Sequence, residues 1–327
     1  MFEGFNRIYL GDAKTALREL PDQCVQTCVT SPPYFGLRDY GIDGQIGAEN
    51  TPAEFVAALV NVFREVRRVL RDDGTVWLNI GDSYANDDKW GGSTGGKHAA
   101  GLHGETGIGR DKTETGLPPK NLIGIPWRVA FGLQDDGWIL RRDIIWAKPN
   151  PMPESVTDRP TTAHEYIFLM AKNPHYYYDA EAIKEPSTYP GDNRAARSDT
   201  RKLIDPKCMD NGSRARTGSP TGITRNKRSV WEVATSPFKG AHFATFPPDL
   251  IQPCILAGAP VGGVVLDPFM GSGTTALVAR YHGRQYVGCE LNPKYIAMAK
   301  RRLRMPFEHQ PAIESNVSDL PLFTGGF

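Results

Sequence analysis

Short apolar runs that alternate with helical segments make up most of the chain. Strand-like runs are found at 7–10, 24–29, 75–80, 138–146, 165–171, 263–267 and 285–289. Helical periodicity is found at 13–20, 51–73, 125–133, 250–257, 276–280 and 293–303. The second of these helices is expected to begin at a capping box, Thr51 with Glu54, and to end at Gly74. Strands that alternate with helices predict an α/β domain with a mostly parallel sheet, and the runs at 138–146 and 165–171 are expected to form an antiparallel pair at its edge.

Two regions interrupt this pattern. Residues 86–119 are rich in glycine and have no apolar period, which predicts a long loop, either a lid over a substrate or an insertion without a role. Residues 193–230 carry ten Lys or Arg against three Asp, an excess of seven positive charges in a chain whose net charge is +1. A basic face on an otherwise balanced protein suits the phosphates of a nucleic acid, although a solvated polar insertion has the same composition.

Composition limits the remaining classes. With 327 residues and 40% hydrophobic content, the chain is expected to form one large domain with an insert. No apolar run approaches the length that spans a bilayer and Met1-Phe2-Glu3-Gly4 begins no signal peptide, so a soluble, cytoplasmic protein without a membrane partner is expected. The five cysteines are expected to be reduced thiols, and no metal is expected because no metal-ligand spacing occurs.

The segment Thr30-Ser31-Pro32-Pro33-Tyr34 follows directly on the strand at 24–29. Two prolines cannot continue a strand, so it is expected to end in a stiff loop. An exocyclic amine of adenine or cytosine is a poor nucleophile because its lone pair is delocalised into the ring. The Ser31 hydroxyl and the Pro32 carbonyl are candidates to draw its two hydrogens out of the plane, and the Tyr34 ring is a candidate to stack on the base. A simple Pro-Pro turn is the structural alternative.

A second loop, residues 267–275, follows a buried strand and contains two glycines near the start of a helix. A P-loop is excluded because the lysine that it requires is absent. The dinucleotide-binding pattern is met by Gly271, Gly273 and Ala276, and Glu290 follows the next strand, where a carboxylate binds the two hydroxyls of a ribose. This loop therefore predicts either a nicotinamide dinucleotide or S-adenosylmethionine as cofactor.

Together, Thr30 to Tyr34 and Asp267 to Thr275 resemble the paired motifs of the amino-methyltransferases that modify exocyclic amines in DNA. The catalytic motif comes first, the cofactor motif last, and a long insert lies between them, which resembles the β class of that family. The similarity extends through residues 6–12, 66–82, 140–148, 164–172 and 242–302, well over half of the chain.

The resemblance has four implications. It makes Asp12 the acceptor for the adenine amine of the cofactor, although Asp12 is equally suited to cap the helix that follows. The order of motifs implies a circularly permuted sheet that the first strand and the helix at 293–303 complete from opposite ends of the chain. The insert takes the place of the target-recognition region. Ser31 implies cytosine, because serine is usual at this position in enzymes that modify the N4 amine, whereas Asp or Asn is usual in adenine enzymes.

The expected fold is α/β, with a doubly wound, mostly parallel sheet of the S-adenosylmethionine-dependent methyltransferase type, a circularly permuted motif order and an antiparallel edge strand. The expected units are the catalytic half (1–180), the target-recognition insert (181–235), the cofactor-binding half (236–305) and a tail (306–327). The expected activity is methyl transfer from S-adenosylmethionine to the N4 amine of cytosine in duplex DNA, with base flipping. Adenine N6 or RNA as the target, a nicotinamide-dependent oxidoreductase and a non-catalytic nucleic-acid binder are the alternatives.

The expected site residues form three groups. The catalytic group is Ser31, Pro32, Pro33 and Tyr34. The cofactor-binding group is Asp12, Thr30, Asp267, Phe269, Gly271, Ser272, Gly273, Thr274 and Glu290. The DNA-binding group is Arg194, Arg197, Arg201, Lys202, Arg214, Arg216, Arg225, Lys227 and Arg228. The expected partner is double-stranded DNA, with a homodimer and a cognate restriction endonuclease as further candidates.

Overall fold

The computed structural model describes residues 5–36, 44–85, 115–187, 223–235 and 246–304. The strands are β1 (Arg7–Leu10), β2 (Val25–Thr30), β3 (Leu70–Ile80), β4 (Ile139–Ala147), β5 (His164–Ala171), β6 (Glu185–Pro186), β7 (Thr224–Arg225), β8 (Val230–Glu232), β9 (Val264–Asp267) and β10 (Gln285–Glu290). The helices are α1 (Ala13–Leu17), α2 (Pro52–Val69), α3 (Ile125–Asp135), α4 (Pro248–Gly258), α5 (Thr274–Tyr281) and α6 (Pro293–Arg304), with a 3-10 turn at Glu181–Ile183. Most of the glycine-rich segment, the centre of the basic insert and the tail lie outside the described residues.

Eight strands form one sheet in the order β1-β10-β9-β2-β3-β5-β4-β8. Neighbouring strands are parallel except at β5, which runs antiparallel to both β3 and β4. The early strand β1 pairs with the late strand β10, with Leu10 opposite Glu290. Distant parts of the chain therefore complete one sheet, as the permuted motif order predicts.

Helices cover both faces of the sheet. Helices α1, α2 and α3 pack on one face through side chains that include Leu17, Phe55 and Leu133. Helices α4, α5 and α6 pack on the other face through side chains that include Ile255 and Val278. Because both faces are covered, a central strand is shielded from solvent on both sides, and all six residues of β2 are buried. The buried hydroxyls of Thr27 and Thr30 are hydrogen-bonded to Thr75 and Asp267. The predicted doubly wound α/β fold is confirmed.

The predicted pair of β4 with β5 is antiparallel as expected and lies near one edge of the sheet, but a further short strand lies outside it. Strand β4 lies outside β5, and β8 then pairs with the outer side of β4, with Trp231 opposite Trp146. Strand β8 has only three residues, which is too short to produce a recognisable apolar period.

Helix α2 begins at the predicted capping box but ends at Val69, before the predicted stop at Gly74. Leu70 already has the extended conformation of β3 and is fully buried. Glycine is needed at position 74 for close packing, because a Cβ atom there would lie 2.4 Å from Cγ of Leu70 and 2.9 Å from the carbonyl oxygen of Gln26.

Strands β2 and β9 lie side by side in the middle of the sheet, with Cys28 opposite Leu266. From β9 the sheet continues through β10 to β1, and from β2 it continues in the other direction to β3. The direction of winding therefore reverses between β2 and β9. Such a switch point leaves a crevice at the carboxyl ends of the strands, where doubly wound proteins bind ligands. The two segments selected from the sequence, 30–34 and 267–275, both begin at this place.

Two further observations concern the protein as a whole. Among the described helices, none is long and apolar enough to cross a membrane. The cysteines that the structure describes are free thiols; Cys28, Cys254 and Cys289 are buried, and Cys24 is half-buried.

Candidate active site

Asp267 joins the two predicted loops. Its carboxylate accepts hydrogen bonds from the hydroxyl of Thr30 at 2.6 Å, the hydroxyl of Thr275 at 2.6 Å and the backbone N–H of Phe269 at 3.0 Å. Asp267 and Thr30 are each only 1% exposed, so this contact is part of the interior. Burial raises the pKa of Asp267 to about 6, although the hydrogen bonds oppose the shift. The buried bond between Asp267 and Thr30 thus fixes the two loops relative to each other at the ends of β2 and β9.

Glu290 lies beside the glycine-rich turn at the end of β10. Its carboxylate accepts the backbone N–H of Gly271 at 2.7 Å and that of Asn292 at 2.8 Å. Burial raises the pKa of Glu290 above its ordinary value, although the two backbone donors oppose this shift. A carboxylate offers about four acceptor positions, so an oriented Glu290 keeps capacity for further donors such as ribose hydroxyls.

Gly273 lies against a helix of the protein itself. Its φ of 84° favours glycine, and a Cβ atom added to it would lie 2.7 Å from Cβ of Ala299 in α6. The space beside this glycine is therefore occupied by a helix of the protein, and a bound molecule does not fill it. The backbone N–H of Gly273 donates to the carbonyl of Met270 at 2.9 Å, so the turn is fixed internally.

Arg302 of α6 holds the same turn, which the sequence did not indicate. Its guanidinium group donates to the carbonyl of Ser272 at 2.9 Å, to the hydroxyl of Ser272 at 2.7 Å and to the hydroxyl of Thr274 at 3.1 Å. Burial lowers the pKa of Arg302. The hydroxyls of Ser272 and Thr274, predicted to contact the cofactor, are thus engaged by a side chain of the protein. Contact of Ser272 and Thr274 with the cofactor stays a prediction, and their backbone N–H groups are the better candidates for it, because Arg302 also binds the Ser272 carbonyl.

Asp12 follows β1 and lies next to Glu290 in the sheet, since the N–H of Gly11 donates to the carbonyl of Glu290 at 3.0 Å. Its carboxylate caps α1, accepting the backbone N–H of Thr15 at 2.9 Å and the hydroxyl of Thr15 at 3.1 Å. The capping alternative is therefore observed. The binding of a cofactor adenine by Asp12 stays a prediction, favoured by the position of Asp12 beside Glu290.

The Pro-Pro loop after β2 is packed from two sides. A Cβ atom on Gly47 would lie 3.0 Å from the carbonyl oxygen of Tyr34 and 3.3 Å from Cβ of Pro33. A Cβ atom on Gly81 would lie 2.7 Å from Cε2 of the Tyr34 ring. Pro32 is buried and Ser31 is half-buried, so Ser31 is the more accessible of the two predicted acceptors. The Ser31 hydroxyl makes no hydrogen bond with any residue that the structure describes.

The structure places three polar residues around Tyr34 that sequence reasoning did not assign to the site. The Tyr34 hydroxyl donates to Oε2 of Glu165 at 2.6 Å. Nζ of Lys148 donates to the other carboxylate oxygen, and Nδ2 of Asn79 donates to Oε2 at 3.2 Å. The one available signal was a charged residue, Glu165, near the start of an otherwise apolar strand.

Only the end of the basic insert is described. Arg225 and Arg228 both donate to Oε1 of Glu185, at 2.8 Å and 2.6 Å. Burial raises the pKa of Glu185, but the two guanidinium groups outweigh this effect and leave it lowered. Nζ of Lys227 lies 5.1 Å from the centre of the Trp231 ring. These three predicted DNA-binding residues therefore have partners within the protein.

Strands β6 and β7 pair antiparallel, so the insert leaves and rejoins the domain at one place. The predicted DNA-binding residues Arg194, Arg197, Arg201, Lys202, Arg214 and Arg216 lie outside the described residues. Within the described ranges, no group of three or more His, Cys, Asp or Glu side chains is placed to hold a metal.

Comparison with known proteins identifies a family. The profile of the family N6_N4_Mtase, described as DNA methylase, matches residues 25–301. The Type II methyltransferase M.Cfr9I of Citrobacter freundii is 48% identical over 297 residues, which are 91% of this chain and 87% of that protein. The Type II methyltransferase M.SmaI of Serratia marcescens is also 48% identical, over 91% of this chain and 90% of that protein.

Solved structures share the fold. The PvuII DNA methyltransferase, described as cytosine-N4-specific, aligns with a TM-score of 0.58 and 20% identity, over 95% of this chain and 89% of its own. TTHA0409 of Thermus thermophilus, complexed with S-adenosyl-L-methionine, aligns with a TM-score of 0.55 and 24% identity, over 91% and 92%. The profile match covers most of the chain and the sequence relatives cover nearly all of it, so the chain belongs to the N6_N4_Mtase family of DNA methylases.

Proposed function

We propose that this DNA methylase transfers the methyl group of S-adenosylmethionine to the exocyclic N4 amine of cytosine in duplex DNA. The observation that carries the proposal is the buried hydrogen bond between Thr30 and Asp267, which joins segments 237 residues apart in the sequence. Because of this bond, the loop suited to a base amine and the turn suited to a nucleoside lie next to each other. Membership of a DNA methylase family sets aside the oxidoreductase and the non-catalytic binder.

The donors and acceptors around the turn fit the proposed cofactor. Glu290 is oriented by two backbone N–H groups and retains acceptor capacity for two ribose hydroxyls. Asp12 lies on the adjacent strand and would accept the adenine amine, while Phe269 and Gly271 contribute to the turn itself. Bound at this site, S-adenosylmethionine supplies an electrophilic methyl group. The solved structure of TTHA0409 complexed with S-adenosyl-L-methionine has the same fold, which supports this choice.

The chain's own residues would act on the base. The target must leave the helix before its amine can be reached, which costs a few kcal/mol. Stacking on the Tyr34 ring would offset part of that cost, by about 1–3 kcal/mol. The Ser31 hydroxyl and the Pro32 carbonyl would accept the two amine hydrogens and localise the lone pair as the nitrogen attacks the methyl carbon in line. The methyl–sulfur bond would break as the methyl–nitrogen bond forms, and the amine would then lose one of its two protons to solvent. These acceptors stabilise the transition state more than the ground state, because the amine becomes more acidic as it reacts.

Cytosine is proposed over adenine because of Ser31. The similarity of fold to a methyltransferase described as cytosine-N4-specific supports the same choice. The family name covers both N6 and N4 enzymes, so N6-adenine methylation is the second candidate.

Residues 181–235 are proposed to recognise the DNA target. The antiparallel pairing of β6 with β7 supports a separate unit that is attached at one place. The relatives named Type II methyltransferases support a restriction endonuclease as a functional partner. A homodimer stays a prediction.

The test is chemical analysis of the product. Duplex DNA treated with the protein and S-adenosylmethionine is digested to nucleosides and analysed by mass spectrometry, and N4-methylcytosine is expected. Detection of N6-methyladenine alone would show that adenine, and not cytosine, is the target base. The absence of both methylated nucleosides would overturn the proposed function.

A variant tests the proposed role of Ser31. Ser31→Ala should lower the transfer rate about 100-fold, on the scale of removing one transition-state acceptor, and leave calorimetric binding of S-adenosylmethionine unchanged. Wild-type turnover by this variant would remove Ser31 from the mechanism.

A further inference from the structure

Tyr34 is restrained at both its ring and its hydroxyl. One edge of the ring lies against Gly81, where a Cβ atom would come within 2.7 Å of Cε2. The hydroxyl donates a 2.6 Å hydrogen bond to Glu165, a short distance typical of a bond to a carboxylate. A further contact, from the hydroxyl to Oδ1 of Asn79, is 3.4 Å long. The orientation of the ring is therefore set before any substrate arrives.

Glu165 is itself held by two other side chains. Lys148 donates to Oε1, and Asn79 donates to Oε2 at 3.2 Å and to the carbonyl of Tyr166 at 3.1 Å. The side chains of Glu165 and Lys148 are 15% and 18% exposed, so this ion pair is largely shielded from solvent. Nζ of Lys148 also lies 4.5 Å from the centre of the Trp146 ring, which packs the lysine against the sheet.

The register of the sheet fixes where this group lies. Glu165 is paired with Trp146 across β5 and β4, one position beyond the pair formed by Tyr166 and Ile80. The carboxyl ends of strands β2, β3 and β4 lie on one side of the sheet, and the antiparallel strand β5 begins on the same side. Asn79 and Glu165 lie in paired strands, Lys148 directly follows β4 and donates its backbone N–H to the carbonyl of Ala163 at 2.8 Å, and Tyr34 lies in the stiff loop after β2. Most of the group is thus carried by the ordered backbone of the sheet, which suits precise positioning.

We propose that Glu165, held by Lys148 and Asn79, is a positioning residue that fixes the Tyr34 ring for stacking on the flipped base. This inference rests on the proposed function, in which Tyr34 stacks on the target. Because its hydroxyl is bound to Glu165, Tyr34 acts through the face of its ring. Ordering the ring in advance removes that entropy cost from the step in which the base is flipped. Lys148 balances the carboxylate, so the group adds no net charge beside the base.

The experiment is a double-mutant cycle between Glu165→Gln, which removes the charge from the acceptor and from the ion pair with Lys148, and Tyr34→Phe, which removes the donor hydroxyl. Single-turnover methyl transfer to duplex DNA is measured, together with the Kd for S-adenosylmethionine. Each variant should lower the transfer rate by about tenfold, the scale of one charge-assisted hydrogen bond, with cofactor Kd unchanged. The double variant should be slowed by less than the product of the two single defects, because Tyr34→Phe removes the hydrogen bond that Glu165→Gln weakens.

A second substrate separates positioning from general damage. When the target base is mismatched, flipping is cheaper, and the defects of Glu165→Gln and Tyr34→Phe should shrink. The control is Asp72→Asn, which removes another lysine–carboxylate pair, Lys172 with Asp72. This pair lies near the start of β3 and the end of β5, at the far end of these strands from Glu165. Asp72→Asn should transfer methyl groups at the wild-type rate.

Three outcomes would overturn the positioning role: wild-type turnover by Glu165→Gln, defects of the two variants that multiply in the double variant, or an equal defect in Asp72→Asn. If Glu165→Gln does not fold, Tyr34→Phe alone tests the positioning role, because it leaves the ion pair of Glu165 with Lys148 intact. Its rate of methyl transfer must then be about tenfold lower than that of the wild-type protein. Failure of the proposed function is distinguishable, because the wild-type protein would then transfer no methyl group to DNA. An adenine product would leave the positioning role intact, since either base stacks on the ring.

Discussion

Asp267 is a buried carboxylate with no cation among its described partners, held only by two hydroxyls and one backbone N–H. Burial raises its pKa to about 6, whereas an aspartate in an unfolded chain has a pKa of about 3.9. The folded protein therefore binds this proton more tightly than the unfolded chain does. The stabilising contribution of Asp267 is complete below the unfolded pKa and is lost as the pH rises through about 6.

Asp267→Asn should remove this pH dependence, because asparagine has the same shape, stays neutral and keeps an acceptor for Thr30. Between pH 4 and pH 7 the free energy of unfolding of the wild-type protein should fall by about 2 kcal/mol relative to the variant. Urea unfolding without cofactor at both pH values measures the difference. Parallel pH profiles for the two proteins would contradict the prediction.

Gly273→Ala should destabilise the protein through contact with α6. The comparison is Gly262→Ala: both glycines have a φ near 80°, but Gly262 has no described atom within 4 Å of a new Cβ, whereas Gly273 has Cβ of Ala299 at 2.7 Å. Backbone strain of about 1 kcal/mol is expected in both variants, and overpacking should add about 1–3 kcal/mol at position 273 only. Equal losses in urea unfolding would show that φ alone requires Gly273.

At this scale the sequence predicted backbone features better than side-chain partners. Glycine and proline restrict the backbone locally, so the two loops could be placed from their composition. The contacts of Arg302 with the turn and of Glu165 with Tyr34 depend on which strands and helices become neighbours. A single sequence does not contain that information, so neither contact was predicted.

At the scale of elements, α6 supports the cofactor turn as well as covering the sheet. Arg302→Met should preserve the apolar contacts of the helix but remove the donors to Ser272 and Thr274. A less fixed turn should raise the Kd for S-adenosylmethionine about tenfold, measured by calorimetry. Arg301→Met is the matched control, since Arg301 is the preceding residue of the same helix and is exposed. The same affinity in both variants would leave α6 without a role in binding.

The basic insert is predicted to contain two kinds of arginine. Replacing Arg194, Arg197 and Arg201 by glutamate should reduce the slope of log K against log salt for DNA binding, by roughly 0.9 for each phosphate that the variant no longer neutralises. Arg225 and Arg228 are already paired with Glu185, so replacing them by methionine should change the slope less. An unchanged slope in the first set would indicate a solvated insertion, and a larger change in the second set would place the DNA contact at its base.

Element boundaries show where periodicity is informative. Helix α2 has a strong apolar face and a capping box, and its start was predicted correctly. Its end was missed because Leu70 suits both the helix face and the buried strand that follows. Strand β8 was missed because three residues carry no period, although their pairing with β4 decides which strand lies at the edge.

For the whole molecule, the pairing of β1 with β10 predicts that the order of the two halves can be exchanged. A permuted chain that begins after residue 245, ends before 236 and joins the present ends by a flexible linker keeps every strand pair of the sheet. It should bind S-adenosylmethionine with the wild-type Kd, because the cut lies between β8 and α4 and leaves both segments of the proposed cofactor site unbroken. A second permutant, opened at Ser272 within the turn, is the control and should lose binding. Loss of binding in the first would mean that the present connection matters for the site.

The same pairing constrains when the enzyme can become active during its synthesis. Asn6 and Tyr286 are hydrogen-bonded neighbours that are 280 residues apart in the sequence, so the ribosome adds almost the entire chain before the partner of β1 exists. Until then both edges of β1 are unpaired and prone to pair with other chains, and non-local pairing of this kind is slow. Asp12 and Glu290 meet only at that last step. A chain interrupted before β10 would carry the proposed DNA-recognition insert without Glu290 of the proposed cofactor site, so it would have no complete site for methyl transfer.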